Sequence, residues 1–301
     1  MGDIVHTLPA VATLKHSFPH SQLVWAVERK WAALVRGNPF VDQVVEVERS
    51  LAGLLALRRR LRETRFDLAV DFQGLIKSAL VGLLARVEKI YGLHQSQARE
   101  RWAALCYSTR VRVSATHIVD RHLELAAAAG ASNVIRTFPL PPGEPQGKLP
   151  GGSFVLACPL AGWPSKQWPL EYYADLGERL YALGRPLVLN GPPQAMADFK
   201  CLPHVTPHCS SVAGLIDATR RAAAVVGIDS GPMHLAAALA KPGVAIFGPT
   251  DPARNGPCGD SLRVLRGPRA QTSYKRRKET DPSMREIAPE QVFEVLKEVL
   301  A

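Results

Sequence analysis

Aromatic side chains make up only 7% of this 301-residue chain, too few to build a stacking platform for single-stranded nucleic acid. No recognised nucleic-acid motif occurs either. No uninterrupted apolar run reaches the roughly 18 residues that a membrane span needs. Met1 is followed at once by Gly2 and Asp3, without the basic start and apolar stretch of a secretory leader. The five cysteines contain no C-x-x-C pair and are odd in number, which argues against a disulfide framework or a cysteine zinc site. Reduced thiols in a cytoplasmic protein are expected. No internal repeat of short period is present.

What is there is an ordinary globular composition, 47% hydrophobic and 21% charged, which excludes a disordered chain. The length suits two domains. The net charge is +10. Residues 1–150 hold 20 Lys and Arg against 13 Asp and Glu, a net of +7; residues 151–301 hold 17 against 14, a net of +3. The first half is therefore the better suited to an anionic partner: nucleic acid, an acidic membrane surface or a phosphorylated substrate.

Short runs rich in Val, Ile, Leu and Ala alternate with helical patterns. The strand candidates are 22–27, 43–47, 67–72, 153–158, 186–190, 223–228 and 244–247. The helix candidates are 31–36, 51–64, 75–84, 99–107, 117–129, 170–183, 211–221 and 233–240. Such an order predicts parallel sheets with helices on both faces. Residues 138–152 read FPLPPGEPQGKLPGG, with five prolines and four glycines, and continue neither a helix nor a central strand. Two Rossmann-like domains, 1–150 and 151–301, with a cleft between them, are the expected architecture. The opening is unusual. Gly2-Asp3 leads into a helical pattern at Ile4, Val5, Leu8, Val11, Ala12 and Leu14; the glycine turn that normally follows a first strand is present and the strand itself is missing from the pattern.

The strongest local signal is Gly227-Ile228-Asp229-Ser230-Gly231-Pro232-Met233-His234. An apolar strand ends at Asp229, Ser230 or Gly231 suits a helix cap, and Pro232 suits the first turn. The free N–H groups and dipole of that helix start favour an anion such as a pyrophosphate. An ordinary capped turn with a structural histidine fits the same letters. Lys166, in GWPSKQWP (162–169), sits after the first strand of the second half, where a lysine can hold a phosphate; a solvated loop lysine fits as well. The segment IFGPTDP (246–252) reads more as a turn than as a pocket wall. In the first half, DFQGLIKSAL (71–80) places Gln73 and Lys77 after a strand, near Arg58, Arg62, Arg99 and Arg121. An arginine run of this kind is either a solvated face or a set of forked anion contacts. Asp3 is the best candidate general base; an N-cap role is its alternative.

Taken in order, MGDIVHTLPA, DFQGLIKSAL, GWPSKQWP, GIDSGPMHLAAAL and IFGPTDP resemble the lipopolysaccharide heptosyltransferases of glycosyltransferase family 9, the heptosyltransferase I branch in particular. The resemblance spans essentially the whole chain. It implies a GT-B fold in which the first domain binds the acceptor and the second an ADP-sugar, with helix 289–300 returning to the first domain. It implies inverting, metal-independent transfer of L-glycero-D-manno-heptose from ADP-heptose to a Kdo residue of the lipopolysaccharide inner core. No cofactor is implied. The acceptor would be of the Kdo-lipid A type, at the inner face of the cytoplasmic membrane. By the same resemblance Asp3 is the base, and Lys166, Asp229, Ser230, Gly231 and His234 hold the donor. The acceptor would meet Gln73, Lys77, Arg58, Arg62, Arg99 and Arg121. The chain departs from the family pattern at the absent opening strand, in the cysteine-free segment 271–284, and at Gln194, near which the family carries an acid. Alternatives are a family member with another acceptor or nucleotide sugar, or an inactive basic protein that binds polyanions.

Overall fold

The computed structural model describes residues 1–48 and 50–301. It divides into two compact units, one of His6–Pro141 and one of Pro142–Ala301 together with Met1–Val5.

The first unit begins within α1 (Gly2–Ser17), continues through β1 (Val24–Glu28), β2 (Gln43–Val47), α2 (Leu51–Leu61), β3 (Leu68–Asp71), α3 (Ile76–Leu84), β4 (Lys89–Leu93) and β5 (Thr109–Val111), and ends with α4 (Ile118–Ala128). Residues Val5 to Leu14 of α1 are buried without a break, so it is a core helix and not an amphipathic cover. Two of its buried polar members are bonded within the unit: Thr7 Oγ1 meets His122 Nδ1 at 3.2 Å, and Thr13 Oγ1 accepts from Ile135 N at 2.9 Å. The strands form two separate parallel sheets, β1-β2 and β3-β4-β5. Among the described residues no strand pairs with both β1 and β3, so each keeps one unpaired edge and β3 stays partly exposed. Among the described residues the strands of this unit therefore form no single continuous sheet.

The second unit comprises β6 (Val155–Ala157), α5 (Leu170–Ala182), β7 (Leu187–Gly191), α6 (Met196–Lys200), β8 (Val205–Cys209), α7 (Val212–Arg221), β9 (Ala224–Ile228), α8 (Gly231–Ala238), β10 (Gly243–Phe247), α9 (Pro252–Asn255), β11 (Leu262–Arg266), α10 (Pro282–Arg285) and α11 (Pro289–Leu300). Its strands form one parallel sheet in the order β11-β10-β9-β6-β7-β8. β6, β9 and β10 are buried along their whole length, as strands covered on both faces must be.

Several expectations change. The strands β4, β5, β8 and β11 carry Lys89, Arg110, Pro207 and Arg263 among their apolar residues, and the last three lie at sheet edges, where polar residues and proline are tolerated. The segments expected as helices near 31–36 and 99–107 are 3-10 turns, Arg29–Leu34 and Arg101–Cys106. The boundary falls after Pro141, not after Pro150, because the proline-rich segment is bonded to the second unit. Glu144 N donates to Ala213 O at 3.1 Å and Ser211 N to Gln146 Oε1 at 2.9 Å. The terminal helix α11, expected to return to the first domain, packs its apolar face within the second unit. Val292 and Leu296 are fully buried in a cluster with Leu176, Leu180, Val244 and Ile246 of the second unit, the surface that best covers its apolar face.

Candidate active site

Parallel sheets bind ligands outside the carboxyl ends of their strands, in the loops that follow. In the second unit the loops after three adjacent strands, β6, β9 and β10, carry the candidate residues. The first loop ends in the 3-10 turn Pro164–Lys166, and Lys166 Nζ lies 2.6 Å from Asp229 Oδ2 at the end of β9. Asp229 Oδ1 is 3.8 Å from His234 Nε2, and both of these side chains are buried. The Lys166 ammonium also sits 4.4 Å from the Trp163 ring centre, and the Arg276 guanidinium 5.3 Å from it. Asp281 N donates to Ser165 O at 3.2 Å, tying the cysteine-free segment that carries Arg276 to this loop.

Ser230 occupies the N-cap of α8, but its side chain makes no capping bond. Its hydroxyl is buried without a hydrogen-bond partner among the described residues, and so are those of Ser165 and Thr250. An unpaired buried hydroxyl costs about 1–3 kcal/mol, and these three lie on three neighbouring loops at one sheet edge. Ser165 and Thr250 are absent from the expected site; the IFGPTDP turn that contains Thr250 is the signal that could have found it. Gly231 and Pro232 open α8, so its free N–H groups face the same edge.

The beginning of the chain joins this site. A Cβ on Gly2 would stand 2.9 Å from His234 Cδ2, and one on Gly231 would stand 2.6 Å from Met1 Cβ. Two glycines therefore let the start of α1 press against the first turn of α8. Asp3 follows Gly2 directly, in the first turn of α1, with an exposed side chain. Asp3 thus stands one residue from the contact with His234 and Gly231.

In the first unit, Asp71 ends β3 and is buried. It accepts from Gln73 N at 2.9 Å, Gly74 N at 3.3 Å, Ser78 Oγ at 2.9 Å and Tyr107 Oη at 2.6 Å. Burial raises its carboxyl above the usual range, against the opposing pull of these hydrogen bonds. Burial and the Asp71 charge likewise raise the Tyr107 phenol. The Gln73-Gly74 turn is closed by φ +65° at Gly74, where a Cβ would lie 3.2 Å from Arg99 N, and by Glu100 N donating to Gly74 O at 2.9 Å. Lys77 is paired with Glu28 at 2.7 Å. Arg121 is buried and donates to Gln97 O at 3.3 Å. Gln73, Lys77 and Arg99 are thus gathered around one turn at the start of α3, with Arg121 tied to the loop that leads into Arg99. Arg62 instead donates to Leu84 O, at the other end of α3, and Arg58 lies one turn earlier on α2; neither joins that group.

Residues 54–284 match the family model of glycosyltransferase family 9 (heptosyltransferase). The chain is 30% identical to lipopolysaccharide heptosyltransferase 1 of Pseudomonas aeruginosa over 87% of its own length and 79% of that protein. It is 29% identical to the Escherichia coli K12 enzyme of the same name, over 89% and 91%. Among solved structures, the E. coli heptosyltransferase WaaC with ADP superposes with a TM-score of 0.80 at 26% identity, covering 99% of this chain and 96% of that one. E. coli heptosyltransferase II superposes at 0.79 and shares the GT-B fold. This chain belongs to glycosyltransferase family 9, the heptosyltransferases, and is a glycosyltransferase of GT-B fold.

Proposed function

We propose that this enzyme transfers L-glycero-D-manno-heptose from ADP-heptose to a Kdo residue of the lipopolysaccharide inner core. The transfer inverts the anomeric centre, needs no metal and takes place at the inner face of the cytoplasmic membrane. The observation that carries this reading is the cluster of Lys166, Asp229 and three unpartnered hydroxyls around the start of α8, beside Asp3. The names of the similar proteins support the donor and the pathway.

The chemistry follows from charge. As the acceptor hydroxyl attacks the anomeric carbon, the bond from that carbon to the β-phosphate oxygen breaks and ADP gathers negative charge. Lys166 and the N–H groups of α8 stabilise that charge where it develops. Ser165, Ser230 and Thr250 supply neutral donors to the same phosphates or sugar. Asp3 accepts the proton of the attacking hydroxyl, and His234 fixes Asp229. In the first unit, Gln73, Lys77, Arg99 and Arg121 bind the carboxylates and phosphates of the acceptor. Arg58 and Arg62 extend that basic surface along α2.

The test is a donor panel with a heptoseless Kdo-lipid A acceptor. ADP-heptose should support transfer and UDP- and GDP-sugars should not, with turnover unchanged in EDTA and an inverted anomeric configuration in the product by NMR. Transfer from another nucleotide sugar alone, or loss of turnover on chelation, would contradict the reading.

A further inference from the structure

The first unit leaves an unusual face uncovered. On α2, Leu51 and Leu55 are 83% and 65% exposed; on the turn Arg101–Cys106, Trp102 and Leu105 are 55% and 66% exposed. Between them lies α3, which packs against both elements. Its exposed residues Ile76, Leu80 and Leu83 follow one another at spacings of four and three, so they form a single stripe. Soluble proteins rarely leave so many large apolar side chains together in water, and such a patch marks an interaction surface.

The charged residues on the three elements themselves are all basic. Arg58, Arg59 and Arg62 are exposed along α2, beside Leu51 and Leu55. Partial loss of hydration, and to a lesser degree Arg58 and Arg86, hold the Arg62 guanidinium below its ordinary range. Arg101 stacks on Trp102 at 4.4 Å, an amphipathic pair suited to a headgroup layer. Three acids that flank it are engaged elsewhere: Glu63 with Arg60, Glu88 with Arg65, and Glu100 as acceptor from Ile76 N.

We propose that α2, α3 and the turn Arg101–Cys106 form a docking face for an anionic lipid bilayer. Leucines and a tryptophan enter the boundary between headgroups and acyl chains, while the arginines meet the lipid phosphates. A second copy of the chain fits less well, because a symmetric contact would bring two arginine clusters together. Insertion is shallow: no helix among the described residues is long and apolar enough to cross a membrane. The proposal rests on the reading that the acceptor is lipid-borne and names the surface that would bring the enzyme to it.

The test uses the full chain and vesicles free of donor and acceptor. Vesicles rich in phosphatidylglycerol should co-sediment the wild type, and phosphatidylcholine vesicles or high salt should release it. Combined Leu55→Glu, Trp102→Glu and Leu105→Glu should lower the bound-to-free ratio about tenfold or more. The same variant should keep the thermal midpoint and turnover on a soluble, delipidated acceptor, since all three side chains are exposed. The proposal is overturned if the wild type ignores anionic vesicles or if the triple variant binds them equally. It is overturned equally if the wild type is a dimer in sedimentation velocity that the variant dissolves. Vesicle binding without any heptosyl transfer would support the docking face and sink the functional reading instead.

Discussion

Lys166 Nζ and Asp229 Oδ2 lie 2.6 Å apart, one at the end of the loop after β6 and the other at the end of β9, and little of either side chain reaches solvent. Each is therefore the other's main compensation for burial, and removing one leaves a stranded charge. Lys166→Met or Asp229→Asn alone should destabilise the protein by about 3 kcal/mol, and the double variant by clearly less than the sum. Denaturant unfolding of the four proteins measures the coupling. Lys166→Met should also weaken ADP binding about 10- to 150-fold, the loss of one charged hydrogen bond. Additive stabilities with unchanged ADP affinity would mean that the pair is neither coupled nor part of the nucleotide site.

Thr250 is fully buried, and its hydroxyl has no hydrogen-bond partner among the described residues. In the free protein, Thr250→Val should leave stability unchanged or raise it by about 1 kcal/mol, since the unsatisfied group is removed. If the hydroxyl donates to the nucleotide, ADP affinity should fall about fivefold or more in the same variant. Thermal unfolding with and without ADP reads both effects: a normal or higher midpoint alone, and a smaller shift on adding ADP.

Asp71 gives a pH signature. Its folded-state carboxyl titrates above the unfolded value because burial disfavours the charged form. Between those two values the folded state binds the proton that the unfolded state has lost. The contribution of this group to stability is therefore fullest at low pH and declines as pH rises through that interval. Asp71→Asn removes the dependence. The difference in unfolding free energy between wild type and variant should shift with pH in favour of the variant above the ordinary carboxylate range. A difference that stays flat with pH would mean that Asp71 is not perturbed.

Much of the candidate donor site was legible because its residues are local. An apolar run ending in Asp229, then Ser230, Gly231 and Pro232, spells a strand, a tight turn and a helix start in neighbouring letters. Asp71 was legible only as the end of a strand: its partner Tyr107 is 36 positions away, and no local pattern announces a buried network of that span. Thr250 reads like any turn residue until burial shows that its hydroxyl is unpaired. The face of α11 was visible, but amphipathicity does not say which sheet it covers. The division of the first unit into two sheets has its own test. The strands β1 and β3 each have an unpaired edge, whereas β6 and β9 are paired on both sides. Amides of β1 and β3 should exchange with solvent much faster than those of β6 and β9. Equal protection would contradict the described pairing.

The account turns on Asp3, one residue from the contact of Gly2 with His234 and Gly231. Asparagine keeps any capping role but cannot take a proton. Asp3→Asn should bind ADP-heptose like the wild type, keep its thermal midpoint, and lose about 10²–10⁴-fold in turnover with a heptoseless acceptor. The decisive measurement is the transfer rate of this variant under conditions where chemistry limits the wild type. A fall in that range with unchanged donor affinity is the predicted result; near wild-type turnover would make Asp3 a helix cap and move the base elsewhere.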